Sequence, residues 1–286
     1  VRSVEVLSAG PLALIQDLGR PGHAHLGVPP SGALDASALR LANRLVGNPE
    51  SAAGIESLLG GLTLRARTSC TIAVTGPLVP VTLDDRGVGS HAPVHLRTGQ
   101  TLALGSPAAG LRCYLALSGG IDVDAELGSR SRDVLSEIGP PPLRAGDVLP
   151  LGPSRGVPTG LDVVTPSPAP AELDVRVLLG PRDDWFEEPG LALAGPWTVT
   201  AESNRVGVRL TGPALSRKAE FSSRELPSEG LITGAIQAPP SGLPVVFLAD
   251  HPTTGGYPVI AVVPRGSLPS LAQARPGTTV RFYPSL

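Results

Sequence analysis

Read for the spacing of apolar and polar positions, the chain is dominated by short runs of period two. "VEVL", "LTLRA", "CTIAVTG", "RCYLALSG", "DVRVLLG", "WTVTA", "GVRLTG", "PVVFLAD" and "TVRFY" all alternate. Alternation sends one set of side chains into a core and the other set outside, which is the pattern of a half-buried strand. Glycine and proline, 35 and 32 residues, stand between these runs and mark turns. Many short strands with such punctuation predict an all-β fold, a sandwich or barrel, rather than βαβ units. In three phrases, "LRTGQTLAL", "LRAGDVLPL" and "ARPGTTVRF", a glycine precedes an alternating run.

One segment switches to the helical period, so the all-β fold carries a minor helix. In "LDASALRLANRLVGNPE" the apolar positions Leu34, Ala38, Leu41, Ala42 and Leu45 form a single stripe, as a half-buried helix requires. Asp35 is its expected N-cap, and Gly47 followed by Pro49 its expected stop. A further helical turn is expected at "GSLPSLAQA". Between Gly152 and Glu172 the alternation lapses and five prolines appear, which reads as a linker. The expected organisation is therefore a β domain over 1–151, a linker over 152–172 and a second β domain over 173–286.

Composition narrows the partners. The formal charge is -2, and Lys218 is the sole lysine, so no basic block exists to meet the phosphates of a nucleic acid. The longest apolar runs fall short of a membrane span, and "VRSVEVLSAG" has no signal-type apolar segment. Two cysteines, Cys70 and Cys113, are too few for a disulfide framework and fit a reducing compartment. These features lead to the expectation of a soluble cytoplasmic protein.

Several familiar chemistries find no support. "GPSRG" at 152–156 fits the G-x-S-x-G pattern but lacks the strand before and helix after that a nucleophile elbow needs. No phosphate-loop or dinucleotide signature occurs. The pairs "HAH" and "HAPVH" have no supporting carboxylates or cysteines, so no metal ligands are assigned. What remains are four polar clusters set in glycine-rich turns. The first holds Gln16, Asp17, Arg20, Ser31 and Asp35; the second holds Glu202, Ser203, Asn204, Arg205 and Arg209. Ser228, Glu229 and Gln237 form the third, and the fourth is "ADHPTTGGYPVI", with Asp250, His251, Thr253, Thr254, Gly255, Gly256 and Tyr257. Each alone reads as a turn stitched by side-chain hydrogen bonds. Together, their arginines, amides and carboxylates suit a small, polar, partly anionic ligand, with an Asp or Glu as a base.

The ordered blocks "QDLGRPGHAHLGVPPSGALDASALRLANRLVGNPESAAGIE", "RCYLALSGGIDVDAELGSRS", "SNRVGVRL", "SEGLITGAIQAPPSGLPVV" and "ADHPTTGGYPVIAVV" resemble one family over nearly the whole chain. It comprises the C-type component proteins of 5-oxoprolinase, also labelled allophanate hydrolase subunit 2 or KipA-like biotin-dependent carboxyltransferases. The resemblance implies two cyclophilin-like β-barrel domains and a hetero-oligomer with a KipI-like partner, the B-type component. It also implies ATP and Mg2+ in the opening of the 5-oxoproline lactam to glutamate. On that reading Asp17, Glu229 and Asp250 are the catalytic or magnesium-holding carboxylates. Substrate or phosphate contacts fall to Gln16, Arg20, Ser203, Asn204, Arg205, Arg209, Gln237, Thr253, Thr254, Gly255, Gly256 and Tyr257. The other labels imply an allophanate hydrolase or a urea carboxylase-type component acting on a small amide, or a regulatory binder without activity. The chain lacks a "GGSSGG"-type amidase signature and a methionine-flanked biotinylation lysine, so no covalent biotin is expected on it. His251 departs from the arginine that many members carry there.

Overall fold

The computed structural model describes residues 2–158 and 170–285. The central part of the expected linker therefore lies outside the described residues. The chain divides into two compact units. One takes the residues up to Arg20, Ser31–Asp133 and the segment from Glu137; the other takes Pro21–Pro30, Val134–Ser136 and the segment from Pro170. This differs from a linear split at the linker, because two short pieces from the N-terminal half belong to the second unit.

The first unit is built from two antiparallel sheets. A six-stranded sheet runs in the order Val148–Pro150, Ser3–Ala9, Leu62–Ala66, Thr101–Leu104, Val81–Leu83 and Arg86–Val88. A five-stranded sheet runs Leu12–Gln16, Gly54–Leu58, Arg112–Leu117, Cys70–Thr75 and Val94–Leu96. The strand Arg112–Leu117 shows how period two divides the labour. Cys113, Leu115 and Leu117 join Val4, Val6, Leu62 and Leu64 in the main core, while Tyr114 and Ala116 point the other way, under the helix. All six of its residues are buried.

That helix, Ala36–Leu45, forms where the apolar stripe predicts it. Asp35 caps it, its Oδ1 accepting from Ala38 N at 3.0 Å, and Gly47 follows with φ +75°. Ala42 and Leu45 pack on Ala73 and Ala116, and Ala38 and Leu39 pack with Tyr114. Gly54 lets helix and strand approach this closely. A Cβ there would stand 2.7 Å from the Leu115 carbonyl oxygen and 3.0 Å from Leu39 Cδ1.

In the second unit seven strands close into a barrel: Glu172–Leu179, Val259–Val262, Ala235–Gln237, Val245–Phe247, Gly207–Thr211, Trp197–Val199 and Thr279–Pro284. The last pairs in parallel with the first, which removes the free edges of an open sheet. Val175, Val177, Trp197, Val208, Ile236, Val246, Ile260 and Phe282 are buried along these strands. The short helix expected near 266–274 spans Leu268–Ala272; Pro189–Leu193, another short helix, has no periodic signal in the sequence. The glycines of the three turn phrases, Gly99, Gly146 and Gly277, all take positive φ, the conformation that reserves such turns for glycine. The mostly-β expectation with a minor helix thus holds. Among the described residues no helix is long and apolar enough to cross a membrane.

Candidate functional site

The first polar cluster begins where the strand Leu12–Gln16 ends. Asp17 is buried, and its carboxylate is fully engaged by neutral donors. Oδ1 accepts from Gly19 N at 2.7 Å, Ser129 Oγ at 2.5 Å and Ser131 Oγ at 2.6 Å, and Oδ2 accepts from Arg130 N at 2.7 Å. Arg20, 1% exposed, donates through its guanidinium to the backbone carbonyls of Glu126 and Ser131. Gln16 donates from Nε2 to the Arg132 carbonyl at 2.8 Å, and its Oε1 is buried without a hydrogen-bond partner among the described residues. Ser31 Oγ donates to the same Arg132 carbonyl. The structure therefore brings Gln16, Asp17 and Arg20 together around the segment 126–132, whose serines stand outside the four clusters expected from the sequence.

The second unit gathers the remaining clusters. Arg205 and Asp250 form a buried bidentate pair, with Nε to Oδ2 at 2.8 Å and an Nη to Oδ1 at 3.1 Å. Val134 N donates to Asp250 Oδ2 at 3.0 Å. Arg205 is 3% exposed and Asp250 0%, so this charge pair is shielded from water and its two halves neutralise each other. Next to it, the His251 ring is buried, with Nδ1 2.7 Å from the Pro252 carbonyl oxygen. A carbonyl can only accept, so Nδ1 carries the hydrogen in the neutral ring.

Thr254 and Gly255 then pair with Gly230 and Glu229 in a two-stranded ribbon. At Gly255 the ribbon lies against two side-chain ends, which a larger residue would have to push aside. A Cβ there would come within 2.6 Å of Gln237 Nε2 and 2.8 Å of Leu231 Cδ1. Gln237 Nε2 donates to the Tyr257 carbonyl at 2.9 Å, locking the end of the ribbon. Glu229 is tied to Arg182 by a two-pronged ion pair, one arm of which is 3.1 Å. That guanidinium holds the Glu229 carboxyl below the usual carboxylate range. Arg182, like Arg265 on a neighbouring rim, carries no signal in the local sequence pattern that would have found it.

Ser203 and Asn204 lie apart from this ribbon, in a turn of their own. Ser203 Oγ accepts from Arg209 N at 3.0 Å, and Asn204 Oδ1 accepts from Val206 N at 2.8 Å and Gly207 N at 3.3 Å. Their hydrogen bonds are those of a self-stitched turn, and the Arg209 side chain is exposed beside it.

The segment His251–Tyr257 walls two recesses within this unit. One, of about 430 Å³, is lined by His251 and Thr253 with Pro29, Leu231, Val262 and Arg265. The other, of about 750 Å³, is lined by Gly256 and Tyr257 with Ser222, Ser223, Arg217 and Arg224. The first is mainly apolar with an imidazole, a hydroxyl and a guanidinium on it, a combination that suits a small ligand with an apolar face and an anionic group. Among the described residues no three His, Cys, Asp or Glu side chains are grouped closely enough to hold a metal ion.

Comparison with known proteins fits this architecture. The family model for the carboxyltransferase domain, subdomain A and B, matches residues 26–284. The C-type subunit of the Escherichia coli 5-oxoprolinase is 37% identical over 98% of this chain and 90% of its own. The urea amidolyase of Saccharomyces cerevisiae is 35% identical over 99% of this chain, which spans only 16% of that longer protein. The crystal structure of the Kluyveromyces lactis urea carboxylase superposes with a TM-score of 0.93 at 32% identity, covering 99% of this chain and 27% of that one. The chain belongs to the carboxyltransferase domain family, subdomains A and B.

Proposed function

We propose that this chain is the substrate-binding component of a 5-oxoprolinase, a complex that opens the 5-oxoproline lactam to glutamate with hydrolysis of ATP, together with a KipI-like partner. The observation that carries the reading is the state of the three candidate carboxylates. Asp17 accepts four hydrogen bonds, Asp250 is paired with Arg205 and Glu229 with Arg182. The acceptor positions of these carboxylates are taken up by partners within the chain, so the three hold loops and arginines in place, and the base comes from another protein of the complex. The relative at 37% identity is itself named as one subunit of its enzyme, which supports the same division of labour.

In the smaller recess the apolar wall of Leu231 and Val262 meets the ring methylenes of 5-oxoproline. Arg265, exposed on the rim, meets its carboxylate, and Thr253 and His251 stand for the lactam edge. ATP supplies the phosphoryl group that turns the amide oxygen into a leaving group. Asp17, Asp250 and Glu229 do not fit a magnesium site, since each is already engaged within the chain and no group of metal ligands is present among the described residues. No step is therefore assigned to magnesium on this chain.

A second reading is carboxyl transfer to a small amide such as urea, with biotin carried by another protein. The match to the carboxyltransferase family model and to the urea carboxylase structure favours it. A regulatory binder without activity is the third. The deciding experiment is to purify the chain with its KipI-like partner and the remaining oxoprolinase component. ATP hydrolysis and product release are then followed with 5-oxoproline, allophanate and urea in parallel. Glutamate release coupled to ATP hydrolysis with 5-oxoproline alone supports the oxoprolinase reading. Stimulation by urea or allophanate alone, or a stable complex that none of the three stimulates, overturns it.

A further inference from the structure

The larger recess of the second unit contains a charge arrangement that none of the roles above uses. Trp185 is buried, and its ring stacks on Phe221 with centroids 4.8 Å apart and planes 8° from parallel. The guanidinium carbons of Arg217 and Arg224 both lie 5.7 Å from the centroid of Trp185, and that of Arg224 lies 5.8 Å from Phe221. The two cations are thus held within about 11 Å of each other, near one Debye length in physiological salt. Neither forms an ion pair among the described residues. Arg217 also donates to the Ala238 carbonyl at 3.3 Å, which leaves its charge uncompensated.

Both arginines line the recess of about 750 Å³, together with Ser216, Ser222, Ser223 and Tyr257. One carboxylate, Glu225, stands on the same wall, so it offsets only one of the two positive charges. Aromatic faces hold the guanidiniums in place by cation–π attraction without consuming their hydrogen-bond donors. Two pre-positioned forks beside three serine hydroxyls and a phenol form a donor set for tetrahedral oxyanions. The volume exceeds what orthophosphate fills, leaving room for a chain of phosphates or a phosphate carried on a larger group.

We propose that this recess binds a phosphate-bearing small molecule through Arg217 and Arg224. Nucleotides and free inorganic polyphosphates share that chemistry. The proposal concerns binding to this chain by itself, so it stands or falls separately from the identity of the complex's substrate.

The test is calorimetric titration of the full chain, at low salt and without added metal, with inorganic pyrophosphate, ATP and citrate as probes. Pyrophosphate and ATP are expected to bind more tightly than citrate, and to weaken as salt rises. Equal affinities for pyrophosphate and ATP assign the site to a phosphate chain; tighter binding of ATP assigns it to a nucleotide. Arg224→Gln is expected to weaken binding about tenfold, as the loss of a charged hydrogen bond does. Ser223→Asp, at an exposed rim position, is expected to do the same with no change in thermal unfolding. Arg86→Gln, at an exposed position in the other unit, is expected to leave affinity unchanged. Absence of pyrophosphate and ATP binding, citrate binding as tightly as either, or affinities unmoved by both recess variants would overturn the proposal.

Discussion

Two turns in this molecule look alike as sequence and behave differently as structure. The loop after the strand Leu12–Gln16 and the loop after the strand Val245–Phe247 each place an aspartate at a strand end ahead of glycines and other polar residues. Around Asp17 all the contacts turn inward, to Gly19, Ser129, Arg130 and Ser131. Around Asp250 the carboxylate is sealed as well, against Arg205, but the chain then runs on through His251, Thr253, Gly256 and Tyr257 along two recesses. The aspartate is a stitch in both places. What distinguishes the two loops is how soon the chain reaches a recess: at once after Asp250, through His251 and Thr253, but only from Pro21 onward after Asp17, and a local sequence pattern does not encode that.

The largest effect that can break this comparison is Asp250→Ala. It leaves Arg205 buried without its carboxylate, at a cost of about 3 to 5 kcal/mol, measured by denaturant unfolding. Asp250→Leu combined with Arg205→Met removes both charges and is expected to recover most of that loss. Next comes Asp17→Ala, which strands two serine hydroxyls and two backbone amides. A loss of about 3 kcal/mol is expected, and no single compensating change restores it, because the donors are spread over four residues, two through hydroxyls and two through backbone amides. If Asp17→Ala unfolds like the wild type, the first cluster is not a stitch.

Smaller effects sharpen the contrast on the side of the recesses. Tyr257→Phe removes an exposed hydroxyl and is expected to change stability by no more than about 0.5 kcal/mol, so any change in ligand binding reports the recess directly. Glu229 supplies a pH signature. Its carboxyl is held below the usual range by Arg182, so the pair's small contribution is complete above the ordinary carboxylate value and fades as pH falls through the lowered one. Arg182→Ala is expected to move the Glu229 titration upward, followed by NMR of its side-chain carboxyl. The smallest effect is a silence. Burial pushes the Cys70 thiol up to about 11 and the Cys113 thiol up to about 12. Both are therefore expected to resist a thiol reagent at neutral pH until the chain unfolds.

The parts of the fold that could be read from the sequence are those whose causes are local. The helix Ala36–Leu45 announces itself by its stripe and its Asp35 cap, and three glycine turns by residues that tolerate positive φ. The strand Arg112–Leu117 is recognisable as a strand, though its burial on both faces depends on a helix about seventy residues earlier. The membership of Pro21–Pro30 and Val134–Ser136 in the second unit depends wholly on long-range packing. The candidate site divides the same way. The residue types of the clusters were visible, but Ser129 lies 112 positions from Asp17, and Arg182 lies 47 from Glu229. Whether a carboxylate is free or satisfied is decided by such partners.

In this reading the buried Arg205–Asp250 pair holds the recess wall and takes no part in the chemistry. This is tested most directly by measuring unfolding and turnover together for Asp250→Leu with Arg205→Met in the reconstituted complex. The double variant is expected to be more stable than Asp250→Ala and to retain turnover within about tenfold of wild type. A double variant that folds as stably as wild type and binds its partner, yet has lost turnover entirely, would contradict it.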